Sequence, residues 1–198
     1  MTNRRRVAVL ISGRGSNMLA LADAAKDPDY PAEIVLVLSN VPDAPGLAAA
    51  AARGIPTATV PHRDYGGREA FETAMDEVLQ AHQVDLIVLA GFMRILTPGF
   101  IARHEGRILN IHPSLLPKYQ GLNTHARALA AGDSHGGCTV HIVTAELDGG
   151  PPLGQTSVAI LPDDTPESLE DRVRAEEHLL YPRVLAEFCR QPCLAGPA

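Results

Sequence analysis

Val7-Ala8-Val9-Leu10-Ile11 runs straight into Ser12-Gly13-Arg14-Gly15-Ser16-Asn17 and from there into Met18-Leu19-Ala20-Leu21-Ala22. An unbroken aliphatic run, a loop with two glycines and an alanine- and leucine-rich stretch (Asn17 to Ala25) read as strand, turn and helix. A strand that is apolar along its whole length belongs in a sheet covered on both faces. The unit recurs down the chain: Glu33 to Leu38, Ala44 to Ala52, Thr57 to Val60, Arg68 to Gln80, Leu86 to Ala90. This alternation predicts an α/β fold with a mostly parallel twisted sheet and helices on both faces.

Beyond Asn110 the pattern changes. Thr124 to Ala131 reads as a helix, and Thr139 to Val143 and Thr156 to Ile160 read as strands flanking a glycine-rich loop, a candidate site element. Pro166 to Cys189 carries Leu169, Val173, Leu179, Leu180 and Val184 at near-helical spacing, with a kink or break expected at Pro182. With 198 residues, 45% of them hydrophobic, the chain is expected to form one domain over 1–189, with 190–198 as a loose tail. A net charge of -6 argues against a broad nucleic-acid or membrane surface and leaves room for a local basic pocket, so small-molecule partners are expected. The first apolar run is too short to span a bilayer and lacks a signal-peptide pattern, so a cytoplasmic location is expected. Cys138, Cys189 and Cys193 make an odd count without zinc spacing and read as free thiols.

Chemistry concentrates in Asn110-Ile111-His112-Pro113-Ser114-Leu115-Leu116-Pro117 and Leu147-Asp148-Gly149-Gly150-Pro151. Asn110 and His112 close a predicted strand, Arg107 to Ile111, and residues two apart share a face. Pro113 keeps His112 extended. A turn at Gly149-Gly150-Pro151 can bring Asp148 against the imidazole and favour its protonated form. An amide and an imidazolium aimed at one point stabilise an oxyanion. An isolated Asn-x-His is more simply a strand end bonding its own backbone; the addition of Asp148 favours a catalytic cluster.

The Ser12 to Asn17 loop has two readings, an anion cradle at a helix start or a tight turn capped by Ser16 or Asn17. Met18 stands where the dinucleotide fingerprint needs its third glycine, so nicotinamide and flavin are disfavoured. Ala90 to Leu96 lines an apolar pocket or continues the core. His141 is a core histidine or a pocket wall, His62, His82, His104 and His135 read as surface, and Glu176-Glu177-His178 reads as a solvated face. No spacing supports a metal.

Together these residues resemble the phosphoribosylglycinamide formyltransferase family, from about Val7 to Pro182, most specifically in Leu10 to Asn17, Leu89 to Leu96, Asn110 to Tyr119 and Leu147 to Pro151. The resemblance implies a Rossmann-like formyltransferase fold with Asn110, His112 and Asp148 catalytic. It assigns Gly15, Ser16 and Asn17 to the phosphate of glycinamide ribonucleotide and Glu177 to the same substrate. Arg68, Met93, Arg94, Ile95, Leu96 and the Val143 to Asp148 loop would hold the co-substrate, 10-formyltetrahydrofolate. It implies formyl transfer to the amine in purine synthesis by direct attack through a tetrahedral intermediate, with no metal; a homodimer stays open. Gln120, Asn123 and Pro152-Leu153-Gly154 depart from the family pattern, the last where it could loosen the folate loop or the following strand. The rivals are a formyltetrahydrofolate hydrolase, a methionyl-tRNA formyltransferase and a noncatalytic folate or nucleotide binder. The two enzymes usually carry an extra domain for which 198 residues leave no room.

Overall fold

The computed structural model describes residues 4–191. The elements are β1 (Arg5–Ile11), α1 (Ser16–Ala24), β2 (Ala32–Ser39), α2 (Pro45–Ala51), β3 (Thr57–Thr59), α3 (Arg68–Ala81), β4 (Leu86–Leu89), α4 (Pro98–Arg103), β5 (Ile108–His112), α5 (Thr124–Ala130), β6 (His135–Ile142), β7 (Pro152–Ala159) and α6 (Pro166–Arg190). One sheet runs in the order β3-β2-β1-β4-β5-β6-β7. The first five strands of this order pair parallel, and β5·β6 and β6·β7 pair antiparallel.

The period of two in β1 sorts its side chains between two cores. Val7, Val9 and Ile11 point to the side packed by α1, α2 and α6; Ala8 and Leu10 point to the side packed by α3 and α4. Both sets are fully buried, which is why β1 has no polar face. Each large aliphatic or aromatic chain so buried contributes about 1.5–3 kcal/mol. Helix α6 runs through Pro182 without the expected break. It is held from outside: the Tyr181 hydroxyl donates to the carbonyls of Leu89 and Leu109 at 3.0 and 3.2 Å, and Tyr30 donates to Pro182 O at 2.7 Å. Tertiary packing thus overrides a local breaker.

Chain order reverses between β1 and β4, and the crevice beyond their carboxyl ends is where open α/β sheets bind ligands. The loops after these strands interlock there: Ser12 N donates to Gly91 O at 3.1 Å, and Met93 N donates to Ser12 Oγ at 2.8 Å. Several boundaries differ from the sequence reading: β6 begins at His135 rather than Thr139, and α4 had no counterpart in it. Strand β5 extends through His112, and β7 begins at Pro152, earlier than Thr156. Pro152 to Gly154 therefore belong to a strand, with Gly154 against α6, where a Cβ would lie 2.6 Å from Val184 Cγ2. The departure at Gly154 permits helix and strand to approach closely. Cys138 and Cys189 are free and buried, while Cys193 and residues 192–198 of the expected tail lie outside the described residues.

Candidate active site

Strand β5 presents Asn110 and His112 on one face, opposite His141 and Thr139 of β6. The loop between β6 and β7 returns Asp148 to this face. That return needs Gly150, where a Cβ would lie 1.8 Å from Ile142 O. Asp148 takes the left-handed backbone conformation at φ 50°, and its Oδ2 lies 3.3 Å from His112 Nδ1 while its Oδ1 lies 3.6 Å from His141 Nε2. Asn110 Nδ2 lies 3.2 Å from His141 Nε2. The three residues singled out in the sequence thus form one cluster, and His141 joins it as a fourth.

Hydrogen-bond accounting gives the two histidines different roles. His112 faces an acceptor at each nitrogen, Asp148 at Nδ1 and the Tyr119 carbonyl at Nε2, 2.9 Å away; both are satisfied only when both nitrogens carry hydrogen. His141 donates from Nδ1 to Ile142 O at 3.0 Å and is left to accept at Nε2 from Asn110. Burial pushes the His141 pKa down, against the opposing pull of the Ile142 carbonyl and Asp148, which keeps that lone pair available. One Asn110 N–H is thereby fixed, and the other makes no bond among the described residues. The signal for His141 in the sequence was its placement two residues beyond Thr139 on an apolar strand, too weak to separate core from site.

At the crevice's other side, Gly15 itself is the N-cap of α1, at φ 70°, and no side chain caps the helix. The capped-turn alternative for Ser16 and Asn17 is therefore not what is found, and the first amides of α1 are left for an anion. Asn17 is instead buried against α6, where Nδ2 donates to Glu177 Oε2 at 2.7 Å. Its Oδ1 has no partner among the described residues. Glu177 is buried, contrary to the solvated-face reading, and burial raises its pKa despite the Asn17 bond.

The other nominated residues are more dispersed. Met93 and Ile95 are exposed, Arg94 is half-buried, and Leu96 turns into the α3/α4 core, with Val143 packed against it. Arg68 starts α3 and lines a separate cavity of about 780 Å³ with Thr97 and Arg103. Of the histidines read as surface, only His135 is exposed. His62 braces Asn40, which accepts from Ser12 at 2.6 Å, and His104 pairs with Asp76 at 2.6 Å. No group of three His, Cys, Asp or Glu side chains among the described residues is arranged to hold a metal ion.

The formyl transferase family model matches residues 5–185. The chain belongs to the formyl transferase family. Among its relatives, the trifunctional purine biosynthetic protein adenosine-3 of Drosophila melanogaster is 47% identical over 98% of this chain, which spans 14% of that longer protein. The phosphoribosylglycinamide formyltransferase of Haemophilus influenzae is 48% identical over 93% of this chain and 87% of its own length. The crystal structure of phosphoribosylglycinamide formyltransferase from Brucella melitensis superposes with a TM-score of 0.91 at 51% identity, covering 96% of this chain and 98% of that one. The α/β fold expected from the strand and helix alternation, and the formyltransferase fold implied by the resemblance, are the ones observed.

Proposed function

We propose that this formyl transferase moves the formyl group of 10-formyltetrahydrofolate to the amine of glycinamide ribonucleotide, a step of purine synthesis and hence a cytoplasmic one. The observation that carries the reading is the joining of Asn110, His112, His141 and Asp148 at the strand ends, in the same crevice as an uncapped helix start suited to phosphate. Relatives named for this activity, matched over nearly the full chain, support it. The amine attacks the formyl carbon, and the carbonyl electrons move onto oxygen. The free Asn110 N–H donates to that oxyanion beside the doubly donating His112. Asp148 holds the imidazole and takes part in moving a proton from the attacking amine to the departing folate nitrogen, and collapse of the oxyanion breaks the bond between the formyl carbon and that nitrogen, releasing tetrahydrofolate. Holding both substrates in one crevice supplies proximity. Gly15, Ser16 and Asn17 hold the phosphate and Glu177 contacts the same ribonucleotide, while Met93 to Ile95 and the 144–148 loop face the folate; Arg68, in its separate cavity, and Leu96 and Val143, packed into the α3/α4 core, do not.

The test is incubation with 10-formyltetrahydrofolate with and without glycinamide ribonucleotide, followed by mass spectrometry of the ribonucleotide. A formyl-sized gain is expected. Formate release unaffected by the ribonucleotide, with no formylated product, would replace transfer by hydrolysis.

A further inference from the structure

Three consecutive residues grip the His112–Asp148 pair from both ends. Tyr119 O accepts from His112 Nε2 at 2.9 Å, Gln120 Nε2 donates to Asp148 O at 3.3 Å, and Gly121 N donates to Asp148 Oδ2 at 2.9 Å. The segment is not in a relaxed backbone conformation, since Tyr119 lies at φ 58°. For a tyrosine this left-handed geometry persists only when its surroundings impose it.

What imposes it lies on the far side of the segment. Arg127 of α5 donates through Nη1 to Gln120 O at 2.7 Å and to Leu122 O at 3.3 Å, with its guanidinium 5.2 Å from the centre of the Tyr119 ring. Asp133, just before β6, accepts from the Tyr119 hydroxyl at 2.8 Å and from Lys118 Nζ at 3.0 Å on both oxygens. One anchor fixes the backbone and the ring face, and the other fixes the ring's far end.

We propose that Arg127 and Asp133, which touch neither His112 nor Asp148, are positioning residues for formyl transfer, acting through the 119–121 segment. The inference rests on the function proposed above. The Gln120 side-chain amide, at a position that departs from the family pattern, also ties the segment to the Asp148 backbone.

The experiment uses the full chain with ¹⁵N-labelled histidine. It compares the parent with Arg127→Ala, Asp133→Ala and the conservative Arg127→Lys and Asp133→Asn, the last of which keeps an oxygen for the Tyr119 hydroxyl. In the alanine variants kcat is expected to fall roughly three- to tenfold, the effect of one or two lost hydrogen bonds of ordinary net strength. KM for both substrates should stay within about twofold. The His112 ring-nitrogen signals should shift and its Nε2 hydrogen should exchange faster, and the conservative variants should recover most of both. Unmoved His112 signals in the alanine variants overturn the proposal whatever happens to kcat, as does a loss confined to KM. If the parent transfers no formyl group, the functional reading fails, and the ring signals alone then decide whether the anchors position His112.

Discussion

Replacing Glu177 by Gln should make the protein more stable and worse at holding the ribonucleotide. Glu177 is buried and bonded through Oε2 to Asn17 Nδ2, while Asn17 Oδ1 has no partner among the described residues. A glutamine can accept from Asn17 Nδ2 and donate back to Oδ1, removing one unsatisfied buried oxygen and one desolvated charge. Satisfying a buried polar atom gives about 1–2 kcal/mol, which for a chain of this size raises Tm by roughly 2–8 °C. The sign with pH follows from the raised pKa of Glu177. Its stabilising contribution is present below the ordinary carboxyl value of 4.5 and is lost as pH rises through the higher folded value. The variant's advantage should therefore appear at neutral pH and shrink in acid. Thermal unfolding at two pH values, with calorimetric titration of the ribonucleotide, measures both halves. A Tm at neutral pH equal to or below the parent's would refute the accounting, and unchanged ribonucleotide affinity would remove Glu177 from the substrate contacts.

Further expectations can be checked singly. Asp148→Asn should leave folding intact and lower kcat by at least ~100-fold, and turnover within a few-fold of the parent would exclude a proton or charge role. Ser16→Ala should weaken the ribonucleotide far more than the folate, with calorimetry separating the two; equal loss of both would return the loop to a structural turn. Gly154→Val would bring side-chain atoms against Val184, so it should destabilise by about 1–3 kcal/mol in urea unfolding. His141 has its pKa lowered by burial, so its stabilising contribution is present above 6.5 and lost as pH falls through the folded value. His125 and His178 shift the same way, also chiefly through burial. His141→Gln should therefore reduce, without abolishing, the acid-side loss of urea resistance, and an identical pH dependence would contradict this.

The parallel half of the fold was legible because its inner strands β1, β2 and β4 are largely buried on both faces, leaving continuous aliphatic runs such as Val7 to Ile11. The antiparallel end was harder. Strand β7 is an edge strand, largely exposed, and begins with Pro152, Leu153 and Gly154; its start carries turn residues that mask a strand, so those departures were placed beside the folate loop. Pro182 does not break α6 for a related reason, since anchors from the Tyr181 hydroxyl and to the Pro182 carbonyl are invisible to local propensity. At the site, Asn110, His112 and Asp148 were readable from type and spacing. His141 was not, because an apolar strand with one histidine looks the same whether that ring faces core or substrate. The contributions of Tyr119 O and Gly121 N are backbone ones, and no side-chain pattern encodes them.

The backbone of Asp148 narrows which residues can occupy that position at all. At φ 50°, β-branched side chains are strained, and glycine, asparagine and aspartate adopt the conformation most readily. Of these, aspartate alone carries a charge. The position is thus doubly determined: conformation favours three residues and the imidazole beside it selects one. Glutamate, the usual conservative exchange, adds a conformational cost here and sets its carboxylate one carbon further from the backbone, and a library screened at this site for folding alone should be enriched in glycine and asparagine alongside the native residue.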